Sequence, residues 1–277
     1  MESSETSLPA PPPPGEQQAP AYIAPWWHTA LLVLFLLGFS ALGSGGHPGL
    51  DHSLRMKLYI STMVMEWLML LFIVWGLRRK KRLVVRHTAD DSQGALAVEQ
   101  HQTTLSDLVG GRWKTPEDFL LDVAVAFGFW IVAVLVLGAV GYLVGASDLS
   151  HVKEMKERVG AMLPSGRAEI MIWLGVCATA GICEEVIFRG YFQKQFGVLL
   201  KSAWGGIIVQ ALIFGGSHAY EGWQKMVQIG VFGFLFGVLA WWRKSLRPGM
   251  MTHFAQDSVA GIAGRWALEH ATKALPK

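Results

Sequence analysis

Residues 183–189 have the sequence Cys183-Glu184-Glu185-Val186-Ile187-Phe188-Arg189, which places two carboxylates and a guanidinium inside an apolar stretch from about 169 to 190. A stretch of roughly 20 apolar residues is long enough to cross the hydrocarbon layer of a membrane as one helix. Each charged group in that layer costs roughly 2.5 to 3.5 kcal/mol even on lenient scales. Charged residues inside this predicted membrane helix therefore indicate that the helix contains a functional site.

Similar apolar segments occur along most of the chain. Of its 277 residues, 52% are hydrophobic and 16% are charged, and the mean hydropathy is +0.34. The apolar segments lie at about 26–42, 58–77, 119–144, 169–190, 203–218, 226–243 and 250–268. The sequence therefore predicts an all-α, polytopic membrane protein with about seven, at most eight, transmembrane helices.

The polar segments divide the chain into four parts. Residues 1–25 are proline-rich and contain no lysine or arginine, which predicts a disordered tail. Residues 26–82 form a predicted transmembrane hairpin, and residues 83–118 form a polar linker with room for a short interfacial helix. Residues 119–277, which include the charged stretch at 183–189, form the predicted membrane core.

The basic residues lie beside the apolar segments and form no separate basic face. The densest cluster, at 78–82, follows the second span, and the positive-inside rule places it and the linker in the cytoplasm. The net charge of +3 therefore reflects membrane topology, and we expect no nucleic-acid partner.

The spacing of the charges suggests separate roles for the two glutamates. Glu185 and Arg189 are four residues apart, so they share one helical face and can form an ion pair. Glu184 is turned about 100° from that pair on an ideal helix and remains available as a general base. The alternative is that both glutamates face a loop at the helix end.

Two histidine motifs follow in later apolar segments. The first is Phe214-Gly215-Gly216-Ser217-His218, and the second is His253-Phe254-Ala255-Gln256-Asp257. His253 and Asp257 are four residues apart, so the carboxylate can accept the imidazole N–H and fix which ring nitrogen faces the site.

The three motifs together resemble those of the CAAX protease and bacteriocin-processing family of intramembrane proteases, also called the Abi family. The family pattern is Glu-Glu-x-x-x-Arg, then Phe-x-x-x-His, then His-x-x-x-Asn or Asp, and each part occurs here once and in order. The resemblance covers about the last 110 residues and implies a hydrolase like the CAAX prenyl endopeptidases, located in the bacterial plasma membrane.

The resemblance also implies a role for each matching residue. Glu184 would activate a water molecule, while His218 and His253 would hold that water or the oxyanion. Glu185 and Arg189 would form a supporting pair. Asp257 stands where many members have asparagine, and an ionised aspartate cannot donate to an oxyanion, so it is better placed to orient a histidine or bind water.

Whether a metal takes part stays open. Glu184, His218 and His253 would make a three-ligand zinc site of the kind found in metalloproteases. A glutamate that binds the metal is not free to act as the base, however, and the resemblance is also compatible with glutamate-activated water alone.

The membrane depth of the motifs leads to further predictions. His218 and Glu184 reach a common depth only if the fourth helix continues past Arg189 toward Phe196 and the fifth begins near Gly205. We therefore expect a cavity open to the cytoplasm, with non-helical backbone after His218.

The sequence favours cleavage of a membrane-associated or lipidated peptide, with membrane lipid and a peptide or membrane-protein substrate as partners. Two alternatives remain: a non-enzymatic immunity or scaffold protein, and a proton-coupled transporter that uses the same carboxylates as a relay. Glu66 and Asp122 are single acids in the second and third spans, and their roles are open.

Overall fold

The computed structural model describes residues 23–43, 51–79, 82–87, 96–101, 103–146 and 160–274. The described α-helices are α1 (Trp26–Gly43), α2 (His52–Arg78), α3 (Leu105–Val109), α4 (Pro116–Leu143), α5 (Arg167–Glu184), α6 (Gln193–Leu199), α7 (Ala203–Ser217), α8 (Trp223–Arg243) and α9 (Arg247–Ala274). A π-helical segment, Glu185–Phe192, joins α5 to α6, and single 3₁₀ turns lie at Gly160–Met162 and Ala219–Glu221.

The predicted helical membrane architecture is confirmed. Each of the seven apolar segments contains a helix, and four helices are long and apolar enough to cross a membrane: α2, α4, the continuous helix Arg167–Leu199, and α8. α1 and α7 are apolar but shorter. The chain is therefore an integral multi-pass membrane protein. The predicted tail lies almost entirely outside the described residues.

The linker contains a feature that the sequence analysis did not predict. Strands β1 (Arg82–His87) and β2 (Leu96–His101) pair antiparallel, with Arg82 opposite His101 and His87 opposite Leu96. The short helix expected in the linker is present as α3. Threonine and aspartate cap this helix reciprocally, since Asp107 Oδ2 accepts from Thr104 N and Thr104 Oγ1 accepts from Asp107 N.

The outer surface of the helices is apolar, as a lipid environment requires. Leu135 and Leu143 of α4 are 68% and 80% exposed, and Leu71 of α2 is 61% exposed. The buried core instead contains aromatic side chains from the π-helical segment, α7 and α8, including Phe188, Phe214 and Phe236. This core lies directly around the charged residues of the fourth predicted span.

A buried chain of hydrogen bonds attaches α1 to the π-helical segment. His28 Nε2–H donates to the Phe72 carbonyl (2.7 Å), which leaves Nδ1 to accept from the Tyr191 hydroxyl (2.8 Å). The Tyr191 oxygen then accepts from Thr29 Oγ1–H (2.8 Å), and Thr29 Oγ1 accepts from Gln195 Nε2 (3.1 Å). Every buried group in this chain is therefore satisfied with one consistent set of donors.

Glycines allow α7 and α8 to pack closely. The sequence contains the small-xxx-small pair Gly233 and Gly237, and a methyl group at Gly233 would lie 2.9 Å from the Phe214 ring. At Gly215 a methyl group would lie 2.7 Å from the carbonyl oxygen of Met226 and 2.9 Å from the Gly230 Cα. The contact at Gly215 is with backbone atoms, which cannot rotate away.

This contact predicts a large difference between two glycine substitutions. Gly215→Ala is expected to lower the free energy of unfolding by about 1 to 3 kcal/mol, because the added methyl group overpacks the interface. Gly138→Ala in α4 is the control, since nothing lies within 4 Å of a methyl group there. Melting temperatures of the purified variants measure the effect, and equal values for both variants would contradict the packing.

Candidate active site

The charged residues of the first and third motifs converge where the π-helical segment meets α9. α9 packs closely against α5, as Gly181 of α5 shows: a methyl group there would lie 3.0 Å from the Met250 carbonyl oxygen. At Gly249 a methyl group would lie 3.0 Å from Glu185 Oε2. The two glycines thus make room for α9 to bring His253 to the glutamates.

The fourth predicted span continues to Leu199, which confirms the extension past Arg189 that the depth of the site required. It is π-helical from Glu185 to Phe192, however, where the sequence analysis assumed an α-helix. A π-helical turn contains one more residue than an α-helical turn and is frequent at functional sites. Glu184 is the last residue of α5 and Glu185 is the first of the π-helical segment, and both have right-handed α-helical backbone angles.

Both glutamates contact the same imidazole. His253 Nδ1 lies 3.1 Å from Glu185 Oε1, and His253 Nε2 lies 3.6 Å from Glu184 Oε2. Since a carboxylate accepts, Nδ1–H donates to Glu185 and the Nε2 edge of the ring faces Glu184. The Glu184 side chain is 17% exposed, compared with 1% for Glu185, so Glu184 is the one that an incoming molecule can reach.

Asp257 does not orient His253 in the way that its spacing suggested. Its Oδ2 lies 3.5 Å from His253 Nε2, which is longer than the Glu185 contact and lies on the opposite edge of the ring. Glu185 takes the orienting role because the close approach at Gly249 brings it to Nδ1. Asp257 is 35% exposed and lies at the open side of the site, where it can bind water.

Arg189 is held by one ion pair and several aromatic faces. Its side chain is fully buried, and Nη1 lies 3.0 Å from Glu185 Oε1, which confirms the predicted pairing. The contact is charge proximity without hydrogen-bond alignment, since no guanidinium nitrogen has a well-aligned acceptor among the described residues. The Cζ atom lies 4.3 Å from the Phe214 ring centroid and 5.1 Å from that of Phe236, so cation–π contacts add to the pair.

His218 lies where α7 ends. Its Nδ1–H donates to the Phe214 carbonyl (2.9 Å), so Nε2 is the nitrogen available to the site. The backbone after it forms one 3₁₀ turn, Ala219–Glu221, and Gly222, with φ +103°, directly precedes α8. α7 contains 15 residues and spans about 22 Å, so the prediction of a short fifth helix is confirmed. The non-helical backbone predicted after His218 is limited to this short break between α7 and α8.

The Phe214 ring joins the three motifs. Its centroid lies 4.9 Å from the His218 ring and 6.2 Å from the His253 ring, in addition to its contact with Arg189. The sequence identifies Phe214 as a motif residue but does not predict that it packs against residues of all three motifs. The signal was present in the sequence, since an aromatic residue four positions before a histidine lies on the same helical face.

Glu66 of α2 is the additional acid of the site. The residue is 4% exposed, and its Oε2 has no hydrogen-bond partner among the described residues. It interacts electrostatically with Glu184, His253 and Asp257. The N-terminal hairpin therefore places a buried carboxylate within electrostatic range of the site residues, where the sequence indicated only an isolated charge in an apolar segment.

Asp122, the other acid whose role was open, lies away from the site. It accepts hydrogen bonds from Arg243 Nη2 and from Trp113 Nε1, the latter at 2.8 Å. Asp122 is buried, and these two contacts connect the start of α4 to the end of α8. We assign it a structural role.

The donors for the zinc site suggested by the sequence do not converge. In the described part of the chain no three His, Cys, Asp or Glu side chains are arranged to hold one metal ion. The Nε2 of His253 and the carboxylate of Glu184 approach each other, but His218 does not complete a three-ligand set with them. The residues therefore do not fit a catalytic zinc site as they stand.

A protein-family model matches part of the chain. The model described as "Type II CAAX prenyl endopeptidase Rce1-like" matches residues 166–259, which include all three motifs. The resemblance to the CAAX protease family is thus confirmed over this segment. No curated protein and no solved structure matches the chain.

Proposed function

We propose that the chain is an intramembrane endopeptidase that hydrolyses a peptide bond with water activated by Glu184. The observation that supports this most directly is the arrangement of the two glutamates around His253. Glu185 fixes one nitrogen of the ring at 3.1 Å, and the partly exposed Glu184 lies at the other nitrogen. A base that is accessible, next to an oriented imidazole, is the arrangement that general-base hydrolysis requires.

The reaction follows from these positions. A water molecule between Glu184 and the His253 Nε2 edge gives a proton to the Glu184 carboxylate while its oxygen forms a bond to the scissile carbonyl carbon. The carbonyl oxygen becomes an oxyanion. When the C–N bond breaks, Glu184 returns the proton to the leaving nitrogen, so the enzyme is regenerated.

The two histidines would have separate roles, one toward the water molecule and the other toward the substrate carbonyl oxygen. His253 is held at Nδ1 by Glu185, so its Nε2 edge can position the water. His218 is held at Nδ1 by the Phe214 carbonyl, so its Nε2 edge can contact the substrate carbonyl oxygen. Donation to the oxyanion from this position requires the protonated ring, whose charge would stabilise the intermediate.

We further propose that the substrate is a membrane-associated or lipidated peptide, as the matched family description suggests. The apolar surface of α2 and α4 around the site is suited to a lipid-attached substrate that diffuses in the membrane plane. The cavity would open to the cytoplasm of a bacterial plasma membrane, on the side of the basic cluster at 78–82.

The direct test uses the full chain reconstituted in proteoliposomes. A prenylated peptide and the same peptide without the lipid are incubated with it, and the products are identified by mass spectrometry. The expected result is one new amino terminus, formed faster with the lipidated peptide, and none with His218→Ala. Proton-driven solute uptake without any peptide product would overturn the proposal and select the transporter alternative.

A chelator distinguishes zinc-dependent hydrolysis from hydrolysis by glutamate-activated water alone. Since the described donors do not form a three-ligand set, we expect the cleavage rate to change less than twofold, or roughly 0.4 kcal/mol in the barrier, after dialysis against 1,10-phenanthroline. Loss of activity on dialysis and its recovery with added Zn²⁺ would contradict this expectation and restore the metal hypothesis.

A further inference from the structure

A cavity of about 290 Å³ lies at one end of the helix bundle, away from the glutamates. It is formed by the segment before α4, the start of α4, and the connection between α8 and α9. A hydrogen bond joins the end of α3 to the connection between α8 and α9, since Leu246 N donates to the Val109 carbonyl (2.9 Å). Its charged lining residues are Arg112, Lys114, Asp118, Asp122, Arg243, Lys244 and Arg247.

The two acids of this cavity are already engaged. Asp122 accepts from Arg243 and Trp113, and Asp118 accepts from the backbone N–H groups of Lys114 (2.9 Å) and Thr115 (3.2 Å) at the start of α4. Asp118 also interacts electrostatically with Lys114 and Arg243. The two acids therefore offset only part of the charge of the five basic lining residues.

The cations of the cavity are largely unpaired. Arg112, Lys114 and Lys244 are exposed and form no ion pair within the described residues. Arg247 stacks 5.0 Å from the Trp113 ring centroid and has no carboxylate partner in the same part of the chain. The Nε of Arg243 is buried without an acceptor there. The cavity therefore has an excess of positive charge and an unused buried donor.

The location of the cavity is that of a membrane interface. Trp241 and Trp242, in the last turn of α8, are 49% and 63% exposed, and Leu120 in the first turns of α4 is 61% exposed. Tryptophans next to basic residues at the ends of apolar helices are typical of the headgroup region. Exposed apolar surface on α4 and α8 thus continues from the basic cavity toward the membrane interior.

We propose that this cavity binds the phosphate of an anionic lipid headgroup, with the acyl chains lying along the outer faces of α4 and α8. Basic pockets between transmembrane helices bind anionic headgroups through such contacts. Arg112, Lys114 and Lys244 would contact the phosphate, and Trp113 would shield it on one side. This site is independent of the proposed peptide hydrolysis.

The test measures lipid binding to the full chain in a neutral detergent. Short-chain phosphatidylglycerol, short-chain phosphatidylcholine and inorganic phosphate are added separately, and bound lipid is measured by native mass spectrometry together with the melting temperature. The expected result is binding of phosphatidylglycerol with a higher melting temperature, and no such rise with phosphatidylcholine. Inorganic phosphate that binds as tightly as phosphatidylglycerol would overturn the lipid as the source of the phosphate.

Two triple variants locate the site. Arg112→Gln with Lys114→Gln and Lys244→Gln should weaken phosphatidylglycerol binding about 100-fold, since each basic residue near a membrane surface contributes roughly a factor of five. The control removes the same charge elsewhere, in Lys57→Gln with Arg167→Gln and Lys201→Gln. Equal weakening in both triple variants, or none in the first, would overturn the site.

Discussion

Replacing Glu184 with glutamine is expected to lower the rate of peptide cleavage by at least about 100-fold while the protein stays folded. A positioned general base contributes typically 10²- to 10⁴-fold, and glutamine has nearly the same shape but cannot take a proton from water. Because Glu184 is partly exposed and forms only a 3.6 Å contact with His253, its charge contributes little to the packing. The measurement is the initial rate with the lipidated peptide, alongside the melting temperature.

The control for this variant is Glu117→Gln, which removes a carboxylate at the exposed start of α4. Its cleavage rate should equal that of the unaltered protein. The Glu184→Gln protein should also retain bound substrate, which mass spectrometry can identify after purification from native membranes. Cleavage by Glu184→Gln at the unaltered rate would rule out Glu184 as the base.

Replacing Arg189 with methionine should cause the largest loss of stability of any substitution at the site, about 3 to 5 kcal/mol. Removing one partner of a buried ion pair leaves the other charge uncompensated. Here the Glu185 carboxylate would remain, 1% exposed, with His253 as its remaining described contact. The fraction of protein that survives heating, measured by size-exclusion chromatography, gives the loss.

A double variant separates the charge effect from packing. Glu185→Gln with Arg189→Met removes both charges, so most of the lost stability should return. Cleavage should stay slow, because His253 Nδ1 would have lost its carboxylate. Arg167→Met, at the exposed start of α5, is the control and should change stability by less than about 0.5 kcal/mol. A double variant as unstable as Arg189→Met would instead indicate that the guanidinium acts mainly through its aromatic contacts.

Much of this molecule follows from local rules. The spans are predictable because a helix in lipid needs a continuous apolar run, and the pairing of Glu185 with Arg189 follows from a spacing of four residues. The π-helical segment was not predictable, because one extra residue in a turn leaves no separate sequence signal. The partner of His253 was not predictable either, because it depends on how closely α9 packs against Glu185 at Gly249.

Contacts between segments that are far apart in the sequence were harder to predict. Glu66 reaches the site only because α2 packs against the helix that begins at Arg167, and its spacing from the motifs carries no information about this contact. The hairpin of β1 and β2 was missed for a different reason. Apolar spans and helix signals give no information about a two-stranded pairing, which is decided by register rather than by hydropathy.

The position of Glu66 has a consequence for how such a protein can be divided. The family match begins at residue 166, one hundred residues after this glutamate, and yet the buried carboxylate lies among its charged side chains. The same holds for His28 and Thr29, which satisfy Tyr191 from α1. The segment matched by the family model is therefore smaller than the set of residues that surrounds the site. A protein containing only residues 166–259 would lack Glu66, His28 and Thr29.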